Sequence, residues 1–160
     1  MMDILDVVPS KVVFRQTGTP VEPEFRPLWR LSLIALILLR LSSGNKAGAK
    51  KIQALSSIIS SNEKRKNYSS EAQDLFTSVN VRFDPLVDRA IDMGLGEGVF
   101  ELEPSKSVKL SDKGMAFAKA IDTDKEVFVK EKEFMKKFSK SFFTDAVVDK
   151  LISGDFREQA

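Results

Sequence analysis

The segment that most constrains this chain is Leu28-Trp29-Arg30-Leu31-Ser32-Leu33-Ile34-Ala35-Leu36-Ile37-Leu38-Leu39-Arg40-Leu41, which directly follows Pro27. Proline suits the first position of a helix, and the residues after it are apolar on nearly every face of one. A bilayer span needs about 20 apolar residues, so this run is too short to cross one, and Arg30 and Arg40 mark its ends. It must be a central, buried helix, and the rest of the chain has to cover it. With 160 residues, 42% of them hydrophobic, there is enough material for one domain with appendages.

The chain has no cysteine and no histidine. Disulfides, thiolate sites and zinc sites are therefore excluded, as are Ser/His and Cys/His nucleophiles. No pattern of carboxylates or lysines stands out as catalytic, and no cofactor is expected. The expectation is a binding protein and not an enzyme. Met1-Met2-Asp3-Ile4-Leu5-Asp6 lacks the basic region and apolar run of a signal peptide, so a cytoplasmic location is expected.

Residues 1–27 read as an extended arm, because Pro9, Pro20, Pro23 and Pro27 forbid a long helix. Ser42 to Asn45 supplies a stop and turn after the central helix. A second helix is expected from about Ala47 to Ser61, with Ile52, Leu55, Ile58 and Ile59 on one face. Asn62 to Ser70 reads as a polar, basic connection and Glu71 to Val79 as a short piece of helix. Asp84-Pro85 has the acidic cap and first-turn proline of a third helix, ending at Gly94. Val99, Phe100 and Leu102, then Val108 and Leu110, form two alternating runs across a turn, which is a hairpin. A helix through Phe117, Ala118 and Ile121 follows, and Thr144 caps a last one over Asp145 to Ile152, with Gly154 ending it. The fold expected is mainly α with a small β-hairpin.

Helix, helix, helix, hairpin is the order of a winged helix-turn-helix. Leu110-Ser111-Asp112-Lys113-Gly114 resembles the Leu-Thr-x-x-Gly signature with which many winged helices leave their wing, Ser111 standing in for threonine. Ser111 can cap the new helix, and Gly114 gives room for close packing. Residues 28–122 are then the winged-helix domain and 123–160 a C-terminal helical extension. Phe25-Arg26-Pro27-Leu28-Trp29-Arg30, the long apolar helix, the basic second helix and this wing together resemble the middle component of bacterial ABC-three-component defence systems, of which Lamassu is the best known. The resemblance implies a small subunit that joins an SMC-like ATPase to an effector in anti-phage or anti-plasmid defence.

Charge patterning bears on DNA. Across residues 71–103 eight acids face two arginines, a net −6, while residues 28–70 carry a net +7, so the overall +2 hides a bipolar chain. The helix before the wing carries Asp84, Asp88 and Asp92 against Arg89 alone, which is unfavourable for a helix meant to lie against phosphates. These three acids are candidate partner contacts. A second candidate face is aromatic, Phe128, Phe134, Phe138, Phe142 and Phe143, interleaved with lysines; the competing reading folds it over the chain's own core. Contact with a nucleic-acid backbone, most simply through the assembled complex, is assigned to Lys46, Lys50, Lys51, Lys64, Arg65, Lys66, Lys106 and Lys109. The rival reading is a dimeric DNA-binding transcriptional regulator. A membrane surface is disfavoured because Glu131 and Glu133 interrupt the basic C-terminal helix. Trp29 reads as a core residue, and Gly94-Leu95-Gly96-Glu97-Gly98 lacks the lysine and helix of a phosphate loop.

Overall fold

The computed structural model describes residues 26–71 and 82–153. The arm up to Phe25, most of the helical piece expected at 71–79 and the stop at Gly154 lie outside them. The described chain is mainly helical with one small three-stranded antiparallel sheet.

Helix α1 (Pro27–Arg40) begins on its proline and buries every residue from Arg30 to Leu38. Its one interior hydroxyl, Ser32 Oγ, donates to Leu28 O at 2.7 Å. The chain then turns through a short 3-10 segment (Ser43–Asn45) in which Gly44 has φ +70°, a conformation that suits glycine. Strand β1 (Lys46–Ala47) and helix α2 (Ala49–Ile59) follow. Helix α2 thus starts later than expected, because Lys46 and Ala47 pair with Lys109 and Val108. Two residues are too few to show an alternating pattern in the sequence.

Asn62 to Ser70 is not a connection but most of helix α3 (Asn62–Glu71). The correction has a physical basis. Ser61 Oγ accepts the Lys64 N–H, Arg65 lies inward, and Tyr68, 9% exposed, is the apolar anchor. A helix held by one cap and one aromatic ring shows no apolar stripe.

Helix α4 (Pro85–Gly96) starts on the expected cap, with Asp84 Oδ1 accepting the Leu86 N–H at 2.9 Å, but it runs past Gly94. Gly94 is a packing position: a Cβ there would lie 2.2 Å from the Phe100 ring. Strands β2 (Phe100–Leu102) and β3 (Val108–Leu110) form the expected hairpin, and β1 joins on the far side of β3, giving the order β1-β3-β2. Ser111 caps helix α5 (Asp112–Thr123) by accepting the Gly114 N–H at 3.0 Å. Gly114 fits because Val99 O occupies the space a Cβ would need, 2.0 Å away. Helices α6 (Val129–Met135) and α7 (Asp145–Ser153) complete the chain, with Thr144 Oγ1 accepting the Val147 N–H.

Two cores share α1. At 100° per residue, Leu31, Ile34, Ala35 and Leu38 lie on one side and Leu33, Leu36 and Ile37 on nearly the opposite one. The first side meets α4, α5 and the sheet through Val87, Ala90, Phe100, Val108, Leu110 and Ala118. The second meets α2 and the C-terminal segment through Leu55, Ile58, Phe134, Met135, Phe143 and Leu151.

Two outcomes are expected from this packing. A chain ended at Thr123 should expose Leu33, Leu36 and Ile37, bind a hydrophobic dye and lose its cooperative thermal transition. Gly114→Ala should cost about 1–3 kcal/mol in chemical denaturation, because backbone and not a flexible side chain fills the space.

Candidate functional site

The three acids of the third helix separate in role. Asp84 is turned to structure: Oδ1 caps α4 and Oδ2 pairs with Arg30 of α1 at 2.9 Å, with side-chain exposures of 9% and 32% for the arginine and the acid. Gln53 of α2, buried, accepts the Asp84 N–H on Oε1 at 2.9 Å and donates from Nε2 to Asp84 O at 3.1 Å and Asp88 Oδ1 at 2.9 Å. One amide therefore fixes the start of α4 against α2. Val87, Ala90, Ile91 and Gly94 face the core, while Asp88, Arg89 and Asp92 face solvent. Asp88 and Asp92 are four residues apart and share a face. Asp84 is thus an internal tie, while Asp88 and Asp92 stay exposed. The role of Gln53 had no signal in the sequence, since a glutamine on an amphipathic helix reads as surface.

The eight basic residues do not form one surface. Arg65 is buried, donating to Ile59 O at the end of α2 and to Asn62 Oδ1 at 3.3 Å, and pairing with Glu131 of α6 at 3.7 Å. It fastens α3 to α6 and is withdrawn as a phosphate contact. Lys64 Nζ donates to Ser57 Oγ at 2.9 Å, and its pKa is lowered, first by burial and then by Arg82, with Glu63 opposing. Lys51 is half-buried, and burial lowers its pKa against the pull of Asp145. In the sheet, Lys46, Lys109 and Glu101 form one cross-strand row, and Lys46 Nζ reaches Glu103 Oε2 at 3.1 Å. The wing's cations therefore stand among its own glutamates. Lys50, Lys66 and Lys106 are exposed, Lys106 at the hairpin turn with φ +66°.

The aromatic set is largely internal. Phe134 and Phe143 are 3% and 2% exposed, and Phe138 stands at their centre, 5.1 Å from each ring and 5.6 Å from Tyr68. Phe128 packs on Trp29 at 5.2 Å. The added contact face expected from these residues is corrected accordingly: they cover α1 and α2, Phe128 and Phe138 are partly buried, and Phe142 is the exposed one at 41%. Burial also pushes the Tyr68 hydroxyl pKa up. Among the described residues no cluster of three or more carboxylates could hold a metal ion, and no helix is long and apolar enough to cross a membrane.

No protein-family model matches the chain, and neither a curated protein nor a solved structure matches it. Gln53→Leu should leave the Asp84 N–H unpaired while its carbonyl keeps the Val87 N–H, cost about 1–3 kcal/mol, and speed amide hydrogen exchange in the first turn of α4 ahead of the rest of that helix.

Proposed function

We propose that the protein is a non-catalytic winged-helix subunit that bridges partners within a multi-protein complex, with an SMC-like ATPase and an effector as the partners. The observation that carries this is the solvent face of α4. Its inner face is apolar and fixed to α1 and α2, while Asp88 and Asp92 stand exposed beside Arg89. In a winged helix this element is the one laid in the major groove, and carboxylates there repel phosphates. The same carboxylates suit oriented docking on a basic protein surface, with specificity from charge complementarity.

The winged-helix reading is supported by α1, α2 and α4 around the hairpin β2–β3, by β1 pairing with β3, and by the exit through Ser111 and Gly114. Helix α3 is an addition between the second and third helices of such a domain. The rival, a dimeric DNA-binding regulator, is weakened by the wing's Lys46–Glu103 pair and by the burial of Arg65.

The test is affinity purification of the tagged full chain from its host, with Asp88→Lys/Asp92→Lys in parallel. Recovery of a large ATPase and an effector by the wild type, with at least about a tenfold loss in the variant, is expected from reversal of a complementary charge contact. A self-associated wild type that reads a particular duplex sequence through α4, losing that selectivity on Arg89→Ala, would replace the bridging role by the regulator.

A further inference from the structure

Phe128, from which α6 starts, has φ +52° and ψ +38°. This left-handed region brings the Cβ of any residue but glycine close to the following carbonyl oxygen, and an aromatic side chain makes no local hydrogen bond in return. The residues on either side, Val127 and Val129, are β-branched and suited to extended chain, and they stand 39% and 46% exposed. Residues 123–127 are all exposed. Beyond this strained crossing the chain forms a cover. Phe134, Met135, Phe143, Val148 and Leu151 close the side of α1 that carries Leu33, Leu36 and Ile37, together with α2. Glu131 reaches Arg65 of α3, Lys132 Nζ donates to Ile121 O, and the Phe128 ring lies 5.2 Å from Trp29.

We propose that residues 128–153 are exchanged between two copies of this chain, with Phe128 as the pivot, so that the cover of one copy closes the α1–α2 face of the other. Rotation about φ turns the N–Cα bond. It redirects the incoming loop while the Phe128 ring and the whole of α6 keep their places, so the contacts with Trp29, Arg65 and Ile121 O are made again on the second copy. Cover and body therefore meet in the same way in both forms, and the crossing is what differs. In the exchanged form Phe128 takes an extended φ in line with Val127. The bonds made by the loop itself, Lys132 Nζ to Asp124 O and the Glu126 N–H to Asp124 Oδ1, belong to the closed form. An unrelated helix would have to match the rings of Phe134, Phe138 and Phe143 around Tyr68, whereas a second copy already carries them. Extended, residues 124–128 span about 17 Å, which lets the loop cross to a neighbour.

The experiment follows the full chain by size-exclusion chromatography with light scattering, from micromolar to millimolar concentration. A dimer that forms on concentration and returns to monomer slowly on dilution is expected, because exchange must open the core beside α1. A chemical link then separates exchange from surface association. The chain has no cysteine, and Lys51 of α2 interacts with Asp145 of α7, so Lys51→Cys and Asp145→Cys provide one thiol on the body and one on the cover. Mixed at high concentration and treated with a short bismaleimide, the two proteins should join to each other in the dimer fraction. Phe128→Gly accepts the left-handed φ without steric cost and should lower the dimer fraction about fivefold or more. Phe128→Asn should follow it, and Phe128→Leu should keep the wild-type fraction. A wild type that stays monomeric throughout, a dimer whose two thiols do not join, or a dimer fraction unmoved by both Phe128→Gly and Phe128→Asn would each overturn the proposal.

Discussion

Helix α1 is surrounded on both sides, and the remaining elements are arranged by the need to cover it. A helix with one apolar stripe packs against one layer, whereas α1 has no solvent face between Arg30 and Leu38. The sheet, α4 and α5 cover one side; α2, α6 and α7 cover the other. The C-terminal segment is thereby a structural necessity as much as an extension. Its phenylalanines fill space that would otherwise be exposed leucine and isoleucine, and each such side chain is worth about 1.5–3 kcal/mol when fully buried.

Where the two sides join, charged and polar side chains act as ties. Arg40 at the end of α1 pairs with Asp122 near the end of α5. Lys132 of α6, buried, donates to Ile121 O at 2.6 Å and to Asp124 O, so an ammonium answers the last carbonyls of α5. Arg65 does the same for Ile59 O at the end of α2. Arg30 and Gln53 fix the start of α4. Each buried cation or amide has partners in hand, the condition under which burial of polar groups is tolerated. The consequence for function is subtractive. Residues that read as a loose basic surface are divided into those that hold the molecule together and those that stay exposed.

What remains outward is bipolar by face. Asp88 and Asp92 stand on the side of the sheet and α4, and exposed lysines such as Lys130 and Lys136 stand on the side of the C-terminal helices. One acidic and one basic face separated by a rigid apolar helix is the charge arrangement that the proposed bridging role would use.

The sequence by itself determined the central helix, the caps at Asp84 and Ser111, the hairpin, the close approach at Gly114 and the last helix after Thr144. All of these rest on local rules: periodicity, a cap within three residues of its donor, alternation across a turn. Tertiary structure decided what locality cannot encode. The two-residue strand β1 exists because β3 offers an edge, α3 is a helix because Tyr68 finds the aromatic cluster, and Gly94 packs on Phe100 instead of ending α4. It also decided which charges hold the molecule together. Arg65 and Asp84 look in sequence like their neighbours Lys66 and Asp88, and only the position of Glu131 and Ile59 O around the arginine and of Arg30 beside the acid sets one of each pair to internal contacts.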